Sequence, residues 1–231
     1  MMKKELDFGI VRAAVSAPEN ADLLLFIVDE LQSCDTFSAV AARYNTGAAV
    51  LEVADWDKYL SPWCAKTVFK RSPDFSGCAD ELLSAIANRV VPEIEDTLGI
   101  HPARRGIGGY SLAGLFALYS FWRTDIFDCG FSASGSMWFD GFAEYICKNV
   151  PMRAPEVFCF SLGDTEDVSR SPRIATVGMN TELIVARLNA LGTRTSFHYN
   201  RGGHFCEENG RICDLIERLC GRVCGESNIV L

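Results

Sequence analysis

Arg105-Gly106-Ile107-Gly108-Gly109-Tyr110-Ser111-Leu112-Ala113-Gly114-Leu115-Phe116-Ala117-Leu118-Tyr119-Ser120-Phe121-Trp122 is the stretch on which the reading of the fold depends. Its first six residues read as a short glycine-rich strand and its last eleven as an almost wholly apolar helix. A helix without a polar face belongs in the core. One polar residue, Ser111, falls at the junction, with only small or apolar residues around the turn.

Working outward, the pattern alternates. Ala21 to Val28 is a continuous apolar run, the signature of a strand covered on both faces, and Phe8 to Ser16 reads as an opening strand before it. Ser33-Cys34-Asp35-Thr36 supplies a helix start, and Phe37, Val40, Ala41 and Tyr44 recur at helical spacing up to Asn45-Thr46-Gly47. Ala48 to Val53 is the next strand. An irregular segment, Asp55 to Gly77, is too long to be a mere connector. Leu82 to Leu98 keeps one apolar face and ends at Gly99, with Pro92 expected to kink or split it. Beyond Trp122 come a strand (Phe127 to Ala133), a helix (Phe142 to Cys147), a strand (Glu156 to Leu162), a helix (Thr181 to Leu191), a strand (Thr195 to Asn200) and a helix (Arg211 to Val223). This order predicts an α/β fold with a mostly parallel central sheet, helices on both faces and ligands at the carboxyl ends of the strands. The 231 residues are read as a single domain, without repeats or linkers.

Composition narrows the function. A formal net charge of -8 disfavours a nucleic-acid partner, which needs a basic face. The longest apolar stretch, Leu23 to Val28, is far too short to cross a membrane, and no signal-like apolar run follows the first residues, so a cytoplasmic location is expected. The ten cysteines contain no C-x-x-C pair and several lie in apolar segments, so they read as reduced, buried small side chains. A zinc site formed by Cys206, Cys213, Cys220 and Cys224 near His204 is a remote alternative.

Gly109-Tyr110-Ser111-Leu112-Ala113-Gly114 is a near match to the elbow that presents a nucleophilic serine on a strained turn between strand and helix. Gly109 and Ala113 are small because strand and helix must pass close together; Ala113 replaces the usual second glycine, and Gly114 is a candidate to share that role. The same small-residue pattern occurs at ordinary strand-to-helix junctions. What strengthens the reading is the order of partners, with an acidic cluster after the next strand but one and a histidine after the last strand. Of the three histidines, His204 in Arg201-Gly202-Gly203-His204-Phe205 is the candidate base, with His198 as the alternative. In Gly163-Asp164-Thr165-Glu166-Asp167 three carboxylates compete to orient it: Glu166 is the first choice and Asp164 the second, beside the plainer reading of a solvated acidic loop. The oxyanion donors are expected to be the amides of Leu112 and of the Val28-Asp29-Glu30 loop, represented by Asp29. Trp56, Tyr59, Trp63 and Trp138 are candidate pocket walls, and equally candidate core residues.

Asp55-Trp56 through Trp63, Ala103-Arg104-Arg105-Gly106 to Leu115, Ser132-Ala133-Ser134-Gly135-Ser136-Met137-Trp138 and Ser161-Leu162-Gly163-Asp164 together resemble the esterase family of α/β-hydrolases that includes esterase-D-like and trilactone siderophore esterases. The resemblance implies an α/β-hydrolase fold and cleavage of carboxylic esters through an acyl-enzyme, with Ser111 as nucleophile and His204 as base. It carries over the acid less securely, through Gly163-Asp164-Thr165-Glu166, since some relatives manage with a Ser-His pair. The substrate class it implies is a small acyl, acylated-sugar or trilactone-type ester. No separate cap domain is evident, so the cleft is expected to be open, roofed by the Asp55 to Gly77 segment. Chemistry of this kind needs neither metal nor organic cofactor, and activity is expected to rise with pH as the imidazole becomes neutral. The rival functions are an acyltransferase on the same fold and a hydrolase-shaped binding protein with a dead site. The oligomeric state is left open.

Overall fold

Continuous apolar runs build the centre of the sheet. The computed structural model describes residues 3–70 and 72–224. β1 (Lys4–Asp7), β2 (Val11–Ser16), β3 (Leu23–Val28), β4 (Thr46–Val53), β7 (Arg104–Tyr110), β8 (Cys129–Ala133), β9 (Val157–Gly163) and β10 (Arg194–Asn200) form one eight-stranded sheet in the order β1-β2-β4-β3-β7-β8-β9-β10. The six strands from β4 to β10 run parallel, while β2 pairs antiparallel with both β1 and β4. Every residue of β3, β8 and β9 is buried, as strands covered on both faces must be. The opening strand is shorter than expected: Phe8 belongs to the turn that joins β1 to β2, and Phe8 N–H donates to Val11 O.

α1 (Cys34–Ala42) and α8 (Glu208–Cys224) cover one face of the sheet, and the apolar side chains Ile212, Leu215, Ile216 and Leu219 of α8 pack there with Phe37 and Phe131. The other face carries α3 (Ala79–Ala85), α4 (Val91–Leu98), α5 (Leu112–Arg123), α6 (Phe142–Lys148) and α7 (Val177–Ala190). α5 is buried from Leu112 through Trp122, which explains its lack of a polar stripe. The Pro92 expectation is met by a π-helical turn, Ile86–Val90, between α3 and α4; the wider turn accommodates a residue that has no N–H and whose ring crowds the carbonyl four positions back.

The Asp55 to Gly77 segment holds a single turn of helix, α2 (Trp56–Tyr59), and a short hairpin of β5 (Cys64–Ala65) with β6 (Phe75–Ser76). Asp55 caps α2 by accepting from Lys58 N–H at 3.0 Å. The loops after β3, β7, β8, β9 and β10 all leave the carboxyl ends of parallel strands, where a binding site is expected in this architecture.

Candidate active site

Ser111 occupies the sharp turn between β7 and α5 with φ 54 and ψ -118, a conformation that a residue with a side chain adopts only under constraint from its surroundings. The constraint is close packing. A Cβ on Gly109 would lie 2.6 Å from the Cβ of Ala113, so the elbow tolerates alanine at 113 because 109 has no side chain. Gly114 takes part as expected, since a Cβ there would stand 2.6 Å from Ser132 Oγ. Ser136 N–H donates to Ser111 O at 3.0 Å, and the Ser111 and Ser136 hydroxyls are 3.3 Å apart.

His204 follows β10 and brings its Nε2 to 2.9 Å from Ser111 Oγ. Its Nδ1 lies 2.7 Å from Glu166 Oε2. A carboxylate only accepts, so Nδ1 carries the proton and Nε2 is left free to accept from the serine. The ring is bracketed by Tyr110 and Phe205, with centroids at 5.4 and 5.0 Å.

The structure thus distinguishes the two candidate acids. Glu166, 7% exposed, faces the imidazole. Asp164 turns away from it and ties the histidine loop instead: its Oδ1 accepts from Gly202 N–H at 2.8 Å, and its own N–H donates to Asn200 O at 2.8 Å. The acid loop and the histidine loop approach so closely that a Cβ on Gly163 would sit 2.3 Å from Gly202 O. Asp167 is exposed.

Beneath Glu166 lies Arg211, a residue that sequence reasoning missed. It belongs to the first turns of α8, is 3% exposed, and its Nη1 donates to Glu166 Oε1 at 2.9 Å and to Ser134 Oγ at 2.7 Å. Nη1 also lies 3.3 Å from the Tyr110 hydroxyl, and Nη2 donates to Gly203 O at 2.9 Å and Arg201 O at 3.2 Å. Tyr110 in turn donates to His204 O. One guanidinium therefore joins the elbow strand, the β8 loop, the acid loop and the histidine loop. A signal for it existed: Arg211 is in phase with Leu215 and Leu219, so an arginine stands where the helix faces the core. Replacing Arg211 by methionine leaves the buried carboxylate without its cation, a loss of about 3–5 kcal/mol. For a chain of this size the expected fall in Tm is roughly 10 °C, read by thermal unfolding.

Burial tends to raise the Glu166 carboxyl, but hydrogen bonds from His204, the Gly163 amide (2.6 Å) and Ser134 outweigh it and hold the group below the usual glutamate range. A carboxyl lowered on folding adds stability that is complete above its usual range and lost as pH falls through the lowered value. Burial pushes the Tyr110 phenol up.

Other expected residues fare differently. His198 points from β10 toward Asp214 of α8, 2.9 Å away, and burial lowers its imidazole; it takes no part in the site. Asp29 is corrected as an oxyanion donor. Its N–H continues the β3–β4 ladder by donating to Leu51 O at 3.1 Å, and Glu30 N–H is taken by Asp29 Oδ1 at 2.8 Å. The Leu112 N–H begins α5, where helix amides have no partner within the helix.

Two cavities meet at Ser111 and His204. The larger, about 260 Å³, is walled by Phe69, Trp138, Val168, Ile174, Val177 and Phe205; the smaller, about 140 Å³, by Asp29, Trp56, Glu208 and Asn209 among others. Trp138 lines the larger of these cavities and Trp56 the smaller. Tyr59 and Trp63 are not: Tyr59 is buried with its hydroxyl on Lys58, and Trp63 packs against Phe139, Phe142 and Tyr145 while donating to Asp140 O. Among the described residues no group of three or more His, Cys, Asp or Glu side chains is placed to hold a metal ion, and no helix is long and apolar enough to cross a membrane. Of the four cysteines considered for zinc, Cys206 is exposed and Cys220 buried.

The sheet order, with β2 antiparallel to both of its neighbours and six parallel strands beyond it, and a serine elbow after β7, defines an α/β-hydrolase fold. Solved structures sharing it include siderophore hydrolase EstA from Aspergillus nidulans, 19% identical with a TM-score of 0.71 over 96% of this chain and 94% of that one. Enterobactin hydrolase IroE in complex with DFP is 18% identical, with a TM-score of 0.72 over 95% and 94%. Among curated proteins, uncharacterized protein YbbA of Bacillus subtilis (strain 168) is 36% identical over 93 residues, 39% of this chain and 37% of the relative, so the match spans little more than a third of that protein. No family model matches the chain.

Proposed function

We propose that the chain is a serine esterase that cleaves carboxylic esters through an acyl-enzyme on Ser111. The observation that carries this reading is the single hydrogen-bonded line from Ser111 through His204 to Glu166, set on a strained elbow. The likeness to a siderophore hydrolase and an enterobactin hydrolase of the same fold supports it.

The steps follow from the geometry. Ser111 Oγ attacks the ester carbonyl as His204 Nε2 takes its proton; Glu166 stabilises the imidazolium and holds its tautomer. The Leu112 amide, at the positive end of α5, faces the developing oxyanion. The alkoxide leaves with the proton from the imidazolium, and the ester bond to Ser111 remains. A water molecule then gives a proton to His204 and its hydroxyl to the acyl carbon; the bond from that carbon to Ser111 Oγ breaks, His204 returns the proton to Oγ, and the acid is released. Trilactone or acylated-sugar esters fit the same chemistry as smaller esters.

Stoichiometric labelling by a fluorophosphonate probe, mapped to Ser111 by mass spectrometry, together with hydrolysis of p-nitrophenyl acetate and butyrate, is the expected result. A chain that neither labels nor hydrolyses either ester is not an esterase.

A further inference from the structure

Exposed large apolar side chains are normally scattered singly over a protein surface. Eight occur among the described residues, and three of them, Phe69 (45% exposed), Val168 (81%) and Phe205 (79%), converge on the mouth of one cavity, the larger of the two that open on Ser111. They come from three separate segments: the roof between β5 and β6, the acid loop after β9 and the histidine loop after β10. Nothing in the fold requires these positions to be apolar, because none of the three packs in the core. Below them the wall continues through Trp138, Ile174 and Val177, with Phe69 and Trp138 edge to face at 6.3 Å. The cavity itself, about 260 Å³, lies under the range usual for drug-sized ligands.

The opposite side of Ser111 is more mixed. The smaller cavity presents Asp29, Glu208 and Asn209 among Trp56, Tyr110, Ile212 and Phe205, the last shared with the larger cavity. An ester lying across the nucleophile therefore meets a mainly apolar wall on one arm, and on the other two carboxylates and an amide set among apolar side chains.

We infer that the substrate is an ester of a medium-chain aliphatic acid with a polar, hydroxylated alcohol, and that Phe69, Val168 and Phe205 form a collar that selects the acyl chain. The inference rests on the esterase reading above. An acetyl group covers little of the three side chains. A longer acyl chain passes along Trp138 and covers them on the way out. The leaving alcohol, which must receive a proton from His204, then departs on the polar side.

The test is the chain-length profile of kcat/KM for p-nitrophenyl acetate, butyrate, hexanoate and octanoate, with fluorophosphonate labelling of Ser111 measured in parallel. Each methylene brought out of water is worth about fourfold, so octanoate should exceed butyrate by more than about tenfold. In Val168→Asp and Phe69→Ser the octanoate-to-butyrate ratio should fall by about tenfold, whatever the absolute rate. A flat or falling profile with Ser111 labelled overturns the acyl-selecting collar and leaves the esterase standing. A ratio unchanged in both variants also overturns it. Absence of both labelling and hydrolysis removes the esterase reading and this inference with it.

Discussion

Replacing Ser111 with alanine is expected to lower kcat for p-nitrophenyl butyrate by about 10⁶-fold and to abolish fluorophosphonate labelling, while Tm stays close to that of the parent chain. The magnitude follows from how such groups act: with the nucleophile gone, His204 and Glu166 have nothing to activate, so a lone substitution removes nearly all the gain of the three together. Only substrate binding and the oxyanion contact proposed for the Leu112 amide remain. Alanine at 111 also relieves the strain at φ 54 no more than serine does, so a stability change is not the cause of the loss. Rates measured with matched Tm values decide the matter. A reduction of less than about a hundredfold, with an intact fold, would show that another group attacks the ester.

The second large effect separates the two carboxylates. Glu166→Gln is expected to lower kcat by roughly 10³ to 10⁴-fold, because an amide facing Nδ1 no longer holds the proton there or stabilises the imidazolium. Asp164→Asn should lower it by less than about tenfold. Asparagine keeps an oxygen that accepts from Gly202 N–H, and Asp164 has no bond to the imidazole. The comparison is informative because the residues are two apart on one loop and differ in what they touch. Equal effects would overturn the assignment of roles. Glu166→Gln should also flatten the loss of stability on acidification, since glutamine has no carboxyl to protonate.

These contrasts show what the chain discloses before it folds. The parallel centre was readable because strands such as Leu23–Val28 and Val157–Gly163 are apolar on both faces, as a parallel sheet covered by helices on both sides requires. β1 was not, because Lys4–Asp7 lies at the sheet edge with three of its four residues exposed, so its sequence carries no alternation to detect. The elbow was legible from Gly109 and Gly114, which close approach explains, and the histidine loop from Gly202, which stands at φ 92. Asp29 failed as an oxyanion donor for a local reason: one more ladder bond beyond β3 consumes its amide, and chain order says nothing about where a ladder stops. Tyr59 and Trp63 failed because aromatic composition does not reveal which face of an irregular segment meets the cleft. Arg211 was hidden for the opposite reason. Its partners lie on one strand and three loops, up to about a hundred positions away, and only its phase on α8 betrayed it.

That arginine has a consequence for when the site comes into being. Nucleophile, acid and base all precede α8 in the chain, so during synthesis all three leave the ribosome before the cation that joins their loops. A nascent chain that has completed β10 can pair its strands and bend its elbow, yet Glu166 then lacks the buried cation that binds its loop to the histidine loop. Only when α8 settles beside α1 do the loops acquire a common anchor. Alignment of Ser111, His204 and Glu166 is thereby deferred until α8 has been made and packed, and chains folded only through β10 carry the three residues without the cation that joins their loops.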